Sequence, residues 1–134
     1  LWPELKFSRE ARQAQAERAT YLAKLIQQAG GVPIVALISP YRADREWARR
    51  QLKGFLEVYV DCPAGICALR DPKNLWARAL RGELAQFTGV DDPYEAPLFP
   101  EVRVKTDRQD PYECVLAVLK GLAGRGYFEP EDEG

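Results

Sequence analysis

Arginine and aromatic residues recur in this sequence at three places where their side chains could bind an anion or a nucleotide. The first place is Phe7 with Arg12 and Arg18, the second is the segment 39–45, and the third is the basic segment 70–87. Guanidinium groups suit phosphate and sulfate because their planar fork donates two parallel hydrogen bonds. A phenyl ring such as Phe7 could stack on a purine. An isolated arginine on a helix is more often a solvated surface charge than a ligand contact. A binding site is therefore indicated only if the fold brings these three places together.

The composition excludes several kinds of chemistry. The chain has 134 residues, no histidine and a net charge of −1 from 19 basic and 20 acidic residues. Without histidine there is no His-based catalytic triad or His general base, and the near-zero charge gives no field that would recruit nucleic acid or a membrane surface. The three cysteines show no CxxC spacing. They predict buried, reduced thiols in a reducing cytoplasm.

The segment 32–39 (VPIVALIS) predicts a strand at the centre of a parallel sheet. Its apolar residues do not alternate with polar ones, so both faces of the strand are expected to be buried. Ligands of open α/β sheets bind beyond the carboxyl ends of the strands. We therefore expect the chemistry to lie around Ser39 and the arginines that follow it.

The rest of the pattern alternates helices with strands. The predicted elements are a helix at 8–29, the strand 32–39, a helix at 42–53, a strand at 55–62, a short helix after Pro63, a basic helix at 75–83, a loop at 87–100, a strand at 102–106 and a helix at 111–122. Strands separated by helices predict an α/β fold with a parallel sheet flanked by helices. We expect one domain over 1–127 and a disordered acidic tail at 128–134.

Particular strings in the chain resemble the adenylylsulfate kinase (APS kinase) family, in the family's order and spacing. They are LKFSREAR, ISPYRADR, VDCP, CxxRDPKxL, AxxGELxxFTGVDDPYEAP and KTD, and they extend from the first residues to the final helix. The resemblance implies a P-loop nucleoside-kinase-like three-layer sandwich. It also implies transfer of the γ-phosphate of MgATP to the 3′-hydroxyl of adenosine 5′-phosphosulfate (APS), which gives PAPS.

The resemblance also assigns roles to individual residues. Phe7 and Phe87 would stack on the adenine of APS, and Lys73 would neutralise charge near the transferred phosphoryl group. Ser39 is placed with the catalytic residues, although in-line transfer needs only positioning and electrostatics, not a phosphoserine. The further expected contacts are Arg12, Gln15, Ile38 and Gln86 for APS, and Arg70 and Gln109 for the base of ATP. Homodimers are common in the family.

The sequence departs from the family's pattern in two ways. It contains no G-x-x-x-x-G-K-[ST] string, and the absence of an initial methionine predicts that the P-loop, the D-G-D segment and the Mg²⁺ ligands lie upstream of Leu1. This stretch alone is expected not to catalyse phosphoryl transfer. Gln15, Asn74, Leu80 and Ala85 replace an asparagine, a glycine, an arginine and a lysine of the family.

Three interpretations follow. The chain is part of an active kinase, or it is part of a kinase-like domain that binds PAPS or APS and regulates a fused ATP sulfurylase. The preserved ISPY and FTGVDDPY strings favour the first, and the lost lid charges at Leu80 and Ala85 favour the second. A nucleoside-monophosphate kinase with another acceptor is the third and most distant interpretation.

Overall fold

The computed structural model describes residues 7–90 and 92–127, which form two compact units. Of these residues, 7–55, 71–90 and 92–96 belong to the first unit, and 56–70 and 97–127 belong to the second. The acidic tail at 128–134, which we expect to be disordered, lies outside the described residues. Within the described part, no helix has the length and apolar character that crossing a membrane would require.

Helices and strands follow one another in the order that the sequence predicts, apart from one strand. The elements are α1 (Arg9–Gln28), α2 (Arg42–Gln51), β1 (Val58–Asp61), α3 (Ala64–Arg70), α4 (Leu75–Leu80), β2 (Val102–Lys105) and α5 (Pro111–Ala123).

Helix α1 begins and ends where local signals place its ends. Ser8 is the N-cap, and its Oγ accepts a hydrogen bond of 3.2 Å from the backbone N–H of Ala11. Gly30 follows the helix with a φ of 84°, a conformation that glycine adopts without steric cost. The buried residues of α1 are Arg12, Ala16, Thr20 and Ala23, whose spacing places them on one face of the helix.

The predicted strand at 32–39 is wrong. The segment has no regular secondary structure, and Ile34 and Val32 are 94% and 80% exposed. A strand forms only where a neighbour accepts and donates its backbone hydrogen bonds. Among the described residues the only two strands, β1 and β2, pair with each other. The apolar run is therefore left without a partner, and burial begins only at Pro40 and Tyr41.

The second unit contains the parallel sheet. Strands β1 and β2 pair in the register Val58↔Val102 to Asp61↔Lys105. The strand predicted at 102–106 is confirmed over Val102–Lys105, and it is half-buried, since Val102 and Val104 are buried while the residues that follow each of them are exposed. Helix α5 packs on β2 so closely that a Cβ atom on Gly121 would lie 2.5 Å from Cγ2 of Val102.

Candidate substrate-binding site

An aromatic cluster in the first unit joins three separate segments of the chain. The Phe87 ring is almost fully buried, with its centroid 5.7 Å from that of Phe7 and 5.6 Å from that of Trp76, both edge to face. Gly89 supports the cluster because a Cβ atom there would lie 2.5 Å from the indole of Trp76. The glycine also has a φ of 91°, in the left-handed region.

Arg12 fixes the position of this cluster from α1. Its guanidinium is buried, donates to the carbonyl of Phe7 at 3.0 Å and to that of Gln86 at 3.3 Å, and lies 5.4 Å from the centre of the Phe7 ring. A buried cation is tolerated only when carbonyl dipoles or counter-charges replace its water. Arg12 therefore connects Phe7 to the loop before Phe87, segments that are distant in the sequence.

Ser39 lies at the end of the apolar run, in a loop held by Arg45. Its φ is 41°, which is unusual for a residue other than glycine. Arg45 donates to the carbonyl of Ser39 at 2.6 Å and to the carbonyl of Glu95 at 2.5 Å. The N–H of Glu95 in turn donates to the carbonyl of Pro40 at 2.9 Å. These bonds attach the segment 39–41 to the loop 92–96.

Tyr41 makes a further link to the same loop. Its hydroxyl donates to Oδ2 of Asp92 at 2.8 Å, and the guanidinium of Arg9 lies 4.1 Å from the centre of its ring. Burial raises the pKa of Tyr41, and the hydrogen bond to the Asp92 carboxylate raises it further. The phenol therefore stays protonated and donating throughout the neutral range.

The segment around Lys73 is organised by Asp71, which caps α4. The carboxylate of Asp71 accepts from the backbone N–H groups of Trp76 at 3.2 Å and Ala77 at 3.1 Å. Asn74 has a φ of 53°, in the left-handed region. Asparagine tolerates this region better than most residues, so its presence where the family has glycine is conformationally acceptable. Lys73 itself is exposed.

In the second unit, Arg70 and Gln109 converge at the carboxyl end of β2. Arg70 donates to the carbonyl of Thr106 at 2.8 Å, and Oε1 of Gln109 accepts from the N–H of Lys105 at 2.7 Å. Arg70 and Gln109 thus bind the backbone of two consecutive residues, Thr106 and Lys105. These residues lie at the edge of a parallel sheet where ligands usually bind.

The structure brings together some of the predicted residues. Phe7, Arg12, Gln86 and Phe87 form one cluster, and Arg70 and Gln109 form another. Gln15 and Ile38 are exposed, and their contacts with APS stay predictions. Among the described residues, no group of three or more Cys, Asp or Glu side chains could hold a metal ion.

Two contacts that organise the site were not predicted, that of Trp76 with Phe87 and that of Tyr41 with Asp92. Trp76 carried no signal beyond its place in a basic helix. Tyr41 and Asp92 belong to two of the recognised strings, so their importance was visible but their bond to each other was not.

Comparisons with known proteins connect this geometry to a family. The model of the family described as adenylylsulphate kinase matches residues 1–105. The adenylyl-sulfate kinase of Synechococcus sp. (strain JA-3-3Ab) is 42% identical over 129 residues, which cover 96% of this chain and 73% of that protein. A probable bifunctional SAT/APS kinase of Sorangium cellulosum is 44% identical over 123 residues, which cover 92% of this chain and 21% of that protein.

A solved structure shows the same likeness in three dimensions. The Mycobacterium tuberculosis APS kinase in complex with AMPPNP and APS superposes with a TM-score of 0.82 at 35% identity. The superposition covers 89% of this chain and 70% of that one. It confirms the predicted α/β fold class.

Proposed function

Since this chain belongs to the adenylylsulphate kinase family, we propose that its protein transfers the γ-phosphate of ATP to the 3′-hydroxyl of APS, giving PAPS. The observation that carries the proposal is the buried Arg12, which joins Phe7 to the loop before Phe87. The two rings expected to contact the adenine thereby come from distant segments into one cluster. The solved relative that binds both AMPPNP and APS supports the same substrates for this chain.

The adenine of APS would enter between Phe7 and Phe87. Stacked aromatic rings lie about 4.5–7 Å apart between centroids, so two rings whose centroids are only 5.7 Å apart cannot both stack on one base. Binding therefore requires the rings to separate. Phe7 is the ring that moves, since it is half-buried in the segment just before α1, while Phe87 is held between Phe7 and Trp76.

Lys73 and Ser39 would act at the reacting end of APS. An exposed ammonium can move towards the transferred phosphoryl group and neutralise charge as it develops, and phosphoryl transfer depends mainly on positioning and electrostatics. Ser39 would position APS through its backbone, in the strained loop that Arg45 fixes. Exposed Gln15, Ile38 and Gln86 would complete the APS contacts.

Arg70 and Gln109 would contact the base of ATP at the carboxyl end of β2. Mg²⁺ would accompany ATP, because Mg²⁺ is usually held by substrate phosphates with one or two carboxylates. The described residues do not themselves provide a site for it. We also propose that the protein is a homodimer. We place it in the cytoplasm because all three cysteines are free thiols, as expected in a reducing compartment. A fused sulfurylase would parallel the bifunctional relative.

A coupled assay of PAPS formation from ATP and APS tests the proposal on the whole protein that contains this chain. Phe87→Leu should raise KM for APS about 5- to 150-fold, equivalent to about 1–3 kcal/mol of base stacking. Phe99→Leu is the matched control, because this ring is 88% exposed and belongs to no cluster described above. It should leave KM unchanged.

Two results would overturn the proposal. Turnover absent in the wild-type protein, with PAPS still binding, would support the regulatory interpretation. An equal KM for the Phe87 and Phe99 variants would remove Phe87 from the APS site. Thermal unfolding of both variants separates a lost contact from a lost fold.

A further inference from the structure

Two cysteines lie in contact where β1 ends and α3 begins. Cys62 follows the last residue of β1, and Cys67 is the central residue of the seven-residue helix α3. The Sγ atom of Cys67 lies 3.9 Å from the carbonyl oxygen of Cys62. Both residues are half-buried rather than buried, which corrects the prediction made from the sequence. A small reagent can therefore reach them.

Helix geometry accounts for the approach. The backbone N–H of Cys67 donates to the carbonyl of Pro63 at 3.1 Å, so the first turn of the helix closes on the residue after Cys62. Side chains of an α-helix lean towards its N-terminus. The thiol of Cys67 consequently points back towards Cys62 instead of outward along the helix.

The charges around the pair give the two sulfurs different roles. A guanidinium nitrogen of Arg70 lies 4.0 Å from Sγ of Cys62. Burial raises the pKa of the Cys67 thiol, and a hydrogen bond with the Cys62 side chain raises it further. Cys67 therefore stays protonated at neutral pH. Cys62, beside a cation, is the sulfur placed to attack first.

We propose that Cys62 and Cys67 are a redox-active dithiol that closes to an intramolecular disulfide by exchange with a low-molecular-weight disulfide such as oxidised glutathione. The Cys62 thiolate attacks one sulfur of the oxidant and releases one glutathione thiolate, which leaves a mixed disulfide. Cys67 then loses its proton to water and attacks the sulfur of Cys62. The bond to the second glutathione breaks, so two protein thiols are oxidised and one glutathione disulfide is reduced to two thiols.

Formation of the disulfide would also affect Arg70, which donates to the carbonyl of Thr106 and lies beside the Cys62 sulfur that becomes oxidised. This second part rests on the proposed function, because Arg70 is an expected contact of the ATP base. Oxidation should therefore raise KM for ATP while leaving KM for APS unchanged.

The first experiment measures the disulfide itself and needs no kinase activity. A Cys114→Ser variant, in which Cys62 and Cys67 are the two thiols left among these 134 residues, is equilibrated with mixtures of oxidised and reduced glutathione and analysed by mass spectrometry without reduction. We expect the loss of two hydrogens from a single chain, reversed by excess reduced glutathione. Intact thiols or a stable glutathione adduct under strongly oxidising mixtures would overturn the proposal.

Two further variants assign the roles of the sulfurs. Cys67→Ser should accumulate the mixed disulfide on Cys62, because the resolving thiol is gone, whereas Cys62→Ser should react slowly or not at all. Equal reactivity of the two variants would overturn the assigned order of attack. Should the disulfide form while KM for ATP stays constant, the dithiol stands and its link to the ATP site fails.

Discussion

At the scale of single residues, the loop 87–96 depends on side-chain bonds for its conformation. Its described residues, 87–90 and 92–96, form no helix and no paired strand apart from an isolated bridge between Thr88 and Asp92. Arg45 donates to the carbonyl of Glu95 near the end of the loop, and the Tyr41 hydroxyl donates to the Asp92 carboxylate in the middle of the loop. The ring of Phe87 is buried at its start. Removing one of these bonds should therefore loosen the segment that carries Phe87.

Tyr41→Phe isolates one such bond without changing the shape of the ring. The variant leaves the Asp92 carboxylate without its donor at 2.8 Å, and hydrogen bonds to charged groups contribute about 1.5–3 kcal/mol. We expect the free energy of unfolding to fall by about that amount, measured by urea denaturation. Tyr112→Phe is the control, since Tyr112 is 70% exposed on α5. Equal stability of the two variants would show that the bond contributes nothing.

At the scale of elements, the sequence predicted the helices better than the strands. Helix ends depend on local signals, such as the side chain of Ser8 before α1 and the positive φ of Gly30 after it. A strand depends instead on a partner that is distant in the sequence. The predicted strand 32–39 is rich in apolar and β-branched residues, yet no described strand pairs with it.

The candidate site was predictable to a similar degree. Resemblance identified Phe7 and Phe87, and the structure places their rings together. The resemblance could not identify Trp76, whose contact with Phe87 arises only when α4 and the following loop fold back on each other. Nor could it predict that Arg12 would be buried and bonded to carbonyl groups, because burial depends on tertiary packing.

The capping box of α5 gives a prediction at this scale. Asp110 accepts from the N–H of Glu113 at 2.8 Å, and the Glu113 carboxylate accepts from the N–H of Asp110 at 2.9 Å. Asp110→Ala should lower the free energy of unfolding by about 1 kcal/mol, because the N-terminal donors of the helix lose an acceptor. Asp110→Asn keeps a capping oxygen and should cost much less. Similar losses in both variants, measured by thermal unfolding, would contradict this account.

At the scale of the whole molecule, charge acts through local pairs. The 19 basic and 20 acidic residues nearly cancel, so no strong net repulsion opposes folding at neutral pH. One such pair bridges the two strands of the sheet, since Arg103 of β2 donates to the carboxylate of Asp61 in β1 at 2.9 Å. The hydrogen bonds from Arg103 hold the pKa of Asp61 below its ordinary value.

This lowered pKa predicts how stability depends on pH. A carboxyl group whose pKa is lower in the folded protein contributes stability above its unfolded pKa of about 3.9, and loses that contribution as pH falls through its folded pKa. Asp61→Asn should therefore lower the free energy of unfolding slightly at neutral pH, because solvent screens this exposed pair. The difference from wild type should shrink as the pH falls below about 4. Urea unfolding at a series of pH values measures this difference in the free energy of unfolding. Arg103→Gln should lower the free energy of unfolding as Asp61→Asn does, and the double variant should be no less stable than either single variant. A difference that does not change with pH would show that Asp61 contributes by packing rather than by its charge.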